Sequence, residues 1–92
     1  MVKASRHESH PLVAKRLKRA NGHLSGVINM IEDGRPCVEI AQQLFAVERA
    51  ITQAKRVLIH DHIDHCLDAA LEERSGSSAR DTSEFKEIVK YL

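Results

Sequence analysis

Tryptophan is absent from this sequence, and aromatic residues make up only 3% of its 92 residues. Four glycines and two prolines leave long stretches without a helix-breaking residue. No apolar run approaches the ~20 residues of a transmembrane helix, and the polar N-terminal segment MVKASRHESHP does not resemble a signal peptide. Two cysteines are too few for a disulfide framework. We therefore expect one cytoplasmic helical domain with an aliphatic core, reduced thiols and no membrane partner.

Charge is distributed unevenly along the chain. Residues 1–59 carry a net charge of +5 and residues 60–92 a net charge of −4, although the whole chain carries only +1 at pH 7. This asymmetry indicates an anionic partner that contacts one side of the molecule.

The apolar pattern predicts a flexible arm over residues 1–10 and a single all-α domain over residues 11–92. The first helix begins at Pro11, because proline is favoured at the first helical position. It ends in the segment EDGRPC, where Gly34 suits a helix C-cap. Its apolar residues recur at alternating spacings of four and three. They are Val13, Leu17, Ala20, Leu24, Val27 and Ile31.

The second predicted helix runs from Cys37 to Glu73 and repeats the same spacing. Its apolar residues are Ile40, Leu44, Val47, Ile51, Ala54 and Leu58. The segment RSGSSARDTS, residues 74–83, reads as a loop that ends in an N-cap at Ser83. A short third helix follows over residues 84–92. Two long helices and a short one cannot cover the second helix, so we expect two antiparallel hairpins to pair into a four-helix core.

A set of metal-ligand residues continues the apolar stripe of the second helix. His62 and Cys66 follow Leu58 on the same face, four residues apart. The only other thiol, Cys37, lies ~37 Å from His62 along the helix axis. The three groups can therefore meet only between two antiparallel chains, with Cys37 from one and His62 and Cys66 from the other.

Two thiolates and one imidazole form a soft donor set that suits Cu(I). Zn(II) requires a fourth ligand, which His60, His65 or water would supply. Ni(II) or Co(II) would favour further nitrogen donors, such as His7 and His10 in the arm. The alternative interpretation is ordinary surface chemistry, since an isolated His–Cys pair on a helix usually binds nothing.

The segments RLKRANGHLSGVINMIEDGRPC and QQLFAVERAITQAKRVLIHDHIDHC together resemble the copper-sensing operon repressor (CsoR) family. The resemblance covers residues 11–92. It implies a three-helix protomer that forms dimers and then a dimer of dimers. It also implies a repressor that binds double-stranded operator DNA and releases it when an effector binds.

For the copper branch, the resemblance implies that Cys37, His62 and Cys66 are ligands and that Glu84 lies behind them in an outer shell. Pro36 stands where that branch has an outer-shell tyrosine. The resemblance also extends to sensors of nickel/cobalt, formaldehyde and persulfide, which fit less well. Nickel/cobalt members have histidine where Cys66 stands, and persulfide sensors have cysteine where His62 stands.

Basic residues off the apolar stripes predict a surface for DNA, although solvated charge is the ordinary alternative. Phosphate contacts would dominate affinity there and make it depend strongly on salt. The basic residues are Lys15, Arg16, Lys18, Arg19, Arg49, Lys55 and Arg56.

The sequence therefore predicts a homotetrameric Cu(I)-responsive repressor. A nickel/cobalt- or formaldehyde-responsive repressor is the alternative within the family, and a copper buffer or thiol redox protein is the alternative outside it. No nucleophile, base and orienting residue form a recognisable set, so we do not expect an enzyme.

Overall fold

The computed structural model describes residues 8–72 and 77–92, which form three α-helices and no strand. They are α1 (Ser9–Glu32), α2 (Cys37–Glu72) and α3 (Ser77–Ile88), and a 3₁₀ turn (Val89–Tyr91) continues α3. α1 and α2 form an antiparallel hairpin, and α3 packs on α2. This confirms the predicted all-α protomer. In the described part of the chain, no helix is both long enough and apolar enough to span a bilayer.

The turn between α1 and α2 follows from one glycine. Gly34 has a φ of 71°, a left-handed conformation that glycine adopts without steric penalty. Its N–H donates to the carbonyl of Ile31 at 3.1 Å, and the N–H of Arg35 donates to that of Met30 at 3.0 Å. These two bonds form a Schellman motif that ends α1. The N–H of Ile40 donates to the carbonyl of Pro36 at 3.1 Å, so α2 begins immediately after the turn.

The third helix begins earlier than predicted. Residues 77–83 were expected in a loop with an N-cap at Ser83, but α3 is already helical from Ser77. The serine-rich segment resembles a loop because serine, aspartate and threonine compete locally with helical hydrogen bonds. However, no glycine or proline follows Gly76, and packing on α2 can extend a helix through residues of middling propensity. α1 also begins two residues before Pro11, and most of the predicted arm, residues 1–7, lies outside the described residues.

Burial divides each apolar stripe into two halves. On α1, Val13, Ala20 and Val27 are buried, whereas Leu17 and Ile31 are 41% and 56% exposed. On α2, Val47 and Ala54 are buried, whereas Leu44 and Ile51 are 46% and 44% exposed. These buried residues are seven apart within each helix, so they lie on the face towards the other helix of the hairpin.

The remaining half of each stripe therefore lies on an open face of the hairpin. The molecule is long and flat, with extents of 60 × 27 × 13 Å. We call the uncovered α2 residues Leu44 and Ile51, together with Leu58 in the same heptad position, the open stripe.

Candidate metal centre

The C-terminal part of α2 and the middle of α3 bring three metal-ligand side chains together. His62 and Cys66 lie one helical turn apart on α2, and Glu84 faces them from α3. A ring nitrogen of His62, the sulfur of Cys66 and a carboxylate oxygen of Glu84 all lie within 4.8 Å of one another. The closest approach between His62 and Glu84 is 3.8 Å, from Nε2 to Oε1.

The donors suit a metal ion in their chemistry, and their spacing is close to that of a bound site. Three donors that bind the same ion at about 2.0–2.3 Å lie at most about 4.0 Å from one another. The three donor atoms lie within 4.8 Å of one another, so they would have to approach by up to about 1 Å to share an ion. Cys66 is buried, with 7% of its surface exposed, while His62 is partly buried. A soft sulfur donor beside an imidazole suits Cu(I), whereas the carboxylate suits a harder divalent ion.

Cys37 does not join this cluster within one chain. It is the first residue of α2 and is exposed, with its thiol free. It lies seven residues before Leu44 and therefore occupies the same heptad position as Leu44, Ile51 and Leu58. The open stripe thus runs from Cys37 at one end of α2 towards His62 and Cys66 at the other.

His65 lies in a separate network that reaches α1 through Asp61. Its Nε2 is 3.3 Å from Oδ1 of Asp61, one turn earlier. The other carboxylate oxygen of Asp61, Oδ2, accepts a hydrogen bond of 2.7 Å from the Ser9 hydroxyl. His65 therefore contacts a carboxylate that anchors the first turn of α1, and it is not among the clustered ligands.

The other candidate histidines also lie apart from the cluster. His10 and His60 are exposed, and neither belongs to the group formed with Glu84. His7 lies outside the described residues. We predicted no role for His23. Its Nε2 lies 2.7 Å from the amide Oε1 of Gln43, and this contact joins the middle of α1 to the start of α2.

The predicted basic residues are all exposed, and the described acidic side chains form no ion pair with them. A groove of about 330 Å³ between α1 and α2 contains two of the arginines, and its floor is formed by small alanine side chains. It is lined by Arg16, Arg19, Ala20, His23, Ala50 and Gln53. No acidic residue lines this groove, so it can accept an anion without displacing an internal partner.

Further basic residues extend this surface along α2. The guanidinium carbon of Arg49 lies 5.8 Å from the centroid of the Phe45 ring, a cation–π arrangement on the exposed side of the helix. A second groove contains Arg49, Arg56 and Gln53 together with the acidic Glu48. Gln53 also lines the first groove, so the two grooves are neighbours. Lys15, Lys18 and Lys55 are exposed but line neither groove.

A family model described as "Metal-sensitive transcriptional repressor" matches residues 9–91, which is nearly the whole chain. The chain belongs to the metal-sensitive transcriptional repressor family. The match includes both the basic surface and the His62–Cys66–Glu84 cluster.

Relatives within the metal-sensitive repressor family include proteins named for copper. The chain is 39% identical over 89 residues to the copper-sensing transcriptional repressor CsoR of Mycobacterium ulcerans, covering 90% of this chain and 74% of that protein. It is 36% identical over 78 residues to CsoR of Bacillus subtilis, covering 85% and 75% of the two proteins.

A solved structure of another family member has the same fold. The nickel-responsive transcriptional regulator InrS matches with a TM-score of 0.80 and 33% sequence identity, over 91% of this chain and 92% of that one. The fold of the metal-sensitive repressor family is therefore shared by members whose names give different metals.

Sequence reasoning missed the Ser9–Asp61–His65 network and the His23–Gln43 contact. Asp61 has a detectable signal, because it lies seven residues after the buried Ala54, on the side of α2 that faces α1, and four residues before His65. Ser9 is 52 residues from Asp61. No local pattern indicates a contact over that distance, which depends on how far the hairpin extends past its turn.

Proposed function

We propose that this protein is a Cu(I)-responsive transcriptional repressor that acts in the cytoplasm. It binds double-stranded operator DNA through the basic surface and releases DNA when Cu(I) binds between two protomers. The observation that carries this proposal is the position of the ligands at the two ends of the open stripe. Cys37 lies at one end, and His62 and Cys66 lie at the other.

Antiparallel pairing of two open stripes would bring those ends together. The midpoint of α2 between Cys37 and the His62–Cys66 pair falls near Ile51, within the exposed apolar part of the stripe. A two-fold axis there would place Ile51 against its copy and Cys37 against the partner's His62–Cys66 pair. The same contact would bury the apolar half-stripes, which gives a reason for the dimer independent of metal.

The residues then have separate tasks. Cys37 of one protomer and the His62–Cys66 pair of the other would hold Cu(I) through two thiolates and one imidazole. Bound Cu(I) supplies a link between the beginning of one α2 and the end of another. Glu84 faces His62 from α3 and would orient its ring, because an imidazole ligand is usually fixed by a partner at its other nitrogen.

The unpaired charge of α1 and α2 supports DNA as the anionic partner. Arg16 and Arg19 share a groove that contains no acidic side chain. Arg49 and Arg56 lie in a second groove, which also contains Glu48. Assembly of dimers into a homotetramer would multiply this surface, and a long duplex can contact several copies at once. Metal would release DNA if it binds more tightly to an arrangement of protomers whose basic surfaces fit the duplex poorly.

The test is operator binding measured at fixed salt with and without Cu(I). We expect specific DNA binding without metal and a loss of affinity with one equivalent of Cu(I) per protomer. A copper buffer would bind Cu(I) without forming a specific DNA complex. A thiol redox protein would release DNA on oxidation in the absence of metal, and this result would replace the present proposal.

Nickel is the second candidate effector. Zn(II) and Co(II) are grouped with it, because they would use the same kinds of donor. It is favoured by the oxygen donor of Glu84 in the cluster and by the similarity to InrS. The Cys66→His variant separates the two effectors, since replacing sulfur with nitrogen should weaken Cu(I) and strengthen Ni(II). DNA release by Ni(II) from the unchanged protein, with no response to Cu(I), would favour the nickel assignment.

A further inference from the structure

Side-chain contacts between described residues join α1 to α2 at two widely separated points. His23 contacts Gln43 near the turn, and Ser9 donates to Asp61 near the open end of the hairpin. Gln43 and Asp61 lie 18 residues apart on α2, which corresponds to about 27 Å along the helix axis. The spacing between α1 and α2 is therefore fixed by polar contacts near both ends.

Only the contact at the open end lies beside the candidate metal ligands. Asp61 immediately precedes His62, and its partner His65 immediately precedes Cys66. The same two turns of α2 thus carry two pairs of residues with a spacing of four, rotated by about 100° from each other. One pair faces the metal site, and the other holds the first turn of α1.

We propose that Asp61 is a positioning residue that couples the metal site to α1 through its hydrogen bond with Ser9. This inference rests on the proposed function. Ligation that draws His62 and Cys66 towards one ion would turn or shift that part of α2, and Asp61 moves with it as part of the same rigid helix. The Ser9 hydroxyl transmits the displacement to α1, which carries Arg16 and Arg19.

This connection explains how a site on α2 can alter a DNA surface that spans two helices. The groove for an anion takes Arg16 and Arg19 from α1 and Gln53 from α2. Its shape depends on the relative position of the two helices, and the Ser9–Asp61 bond fixes that position at the end nearest the metal ligands. The carboxylate is suited to this role because each of its oxygens has a separate partner, Ser9 and His65.

The test compares Ser9→Ala with Ser9→Thr in the full chain. The measured quantity is the ratio of operator affinities without and with Cu(I), together with Cu(I) affinity by chelator competition. Ser9→Ala should reduce the ratio by about tenfold, the order expected for a hydrogen bond to a charged group. Its Cu(I) affinity should remain within about threefold of wild type, because Ser9 is not a ligand. Ser9→Thr should restore the ratio, since it keeps the hydroxyl.

Gln43→Ala is the matched control, because it breaks the other polar contact between the same two helices. It should leave the ratio unchanged even if it shifts both DNA affinities. Hydrogen exchange at the amides of Leu12 and Val13, the first in α1 with an intrahelical acceptor, gives a second readout. Metal should change exchange there in the wild type and in Ser9→Thr but not in Ser9→Ala.

The outcomes separate this inference from the function on which it rests. A wild-type protein whose DNA affinity does not respond to Cu(I) overturns the proposed function and the coupling role together. A responsive wild type with an unchanged ratio in Ser9→Ala overturns the coupling role alone. An equal loss in Ser9→Ala and Gln43→Ala also overturns it, because hairpin rigidity in general would then explain the effect.

Discussion

The two ends of α2 each carry a cysteine, but their surroundings differ. Cys66 is buried beside His62 and faces Glu84 of α3, so this end brings its donors together within one chain. Cys37 lies exposed at the first turn, near the Arg35–Glu39 ion pair. One end therefore holds a cluster of three side chains that could bind a metal ion, whereas the other end has a single exposed thiol.

The same difference appears in the apolar residues between the two ends. Val47 and Ala54 are buried by α1, while Leu44 and Ile51 remain 46% and 44% exposed. A heptad pattern contains enough apolar residues for contacts on two sides, and one chain satisfies only one of them. In the proposed function, a second copy of the chain would cover the exposed apolar residues and would also bring Cys37 to the His62–Cys66 pair.

Ile51→Asp should produce the largest effect, because it should prevent the pairing of two chains that brings opposite ends of α2 together. Two carboxylates would face each other near the two-fold axis, and an uncompensated charge in an interface costs about 3–5 kcal/mol. We expect dissociation to protomers by sedimentation, with loss of tight Cu(I) and operator binding. Leu12→Asp is the control, because Leu12 is also 44% exposed but lies on α1 and off the open stripe. Equal dissociation of both variants would contradict the stripe assignment.

Complementation between ligand variants tests whether the two ends belong to different chains. Cys37→Ala and His62→Ala should each weaken Cu(I) by more than about 100-fold, exceeding the usual effect of an outer-shell partner. Mixed dimers contain one intact and one doubly altered site, so random exchange should restore tight binding at about a quarter of the sites. A mixture that restores none after verified subunit exchange would show that the site is not shared.

The helical hairpin and the ligand residues were accessible from the sequence because both depend on local periodicity. The spacings of four and three predicted α1 and α2 to within two residues at each end, and they placed His62 and Cys66 on one face. The family resemblance supplied Glu84, which the structure places 3.8 Å from His62. The ligand set of Cys37, His62 and Cys66 stays a prediction.

The sequence could not show which half of each stripe would be buried. Leu17 and Val13 are equally good core residues by pattern, yet only Val13 is covered in one chain. The predicted start of α3 was also wrong. Residues 77–83 have a composition typical of loops, yet they form the first turns of α3, which packs on α2. Contacts such as Ser9 with Asp61 depend on hairpin geometry over 52 residues, which no local pattern encodes.

A moderate effect is expected from Arg16→Ala or Arg56→Ala, which alter the basic surface without touching either end of the metal site. Each should weaken operator binding roughly tenfold. Each should also flatten the slope of log affinity against log salt concentration by the amount expected for the loss of at least about one phosphate contact. Cu(I) affinity should remain at the wild-type level. Arg35→Ala is the control, because Arg35 is already paired with Glu39. If Arg35→Ala lowers affinity and slope as much as the other two, DNA binding is not specific to the grooves.

The smallest effect should come from Glu84→Gln, which tests whether the Cys66 end is a complete site or one that only orients its ligands. As an orienting partner of His62, Glu84 should change Cu(I) affinity by less than about tenfold, while the metal-dependent change in DNA affinity falls more. Gln keeps the size of the side chain and removes its charge, so packing of α3 is preserved. If Glu84 is instead a ligand, Ni(II) or Zn(II) affinity should fall far more than Cu(I) affinity, since a carboxylate oxygen favours the harder ions. Competition titrations with all three metals distinguish these cases. A Cu(I) affinity that falls as far as in His62→Ala would contradict the orienting role and place the carboxylate among the ligands themselves.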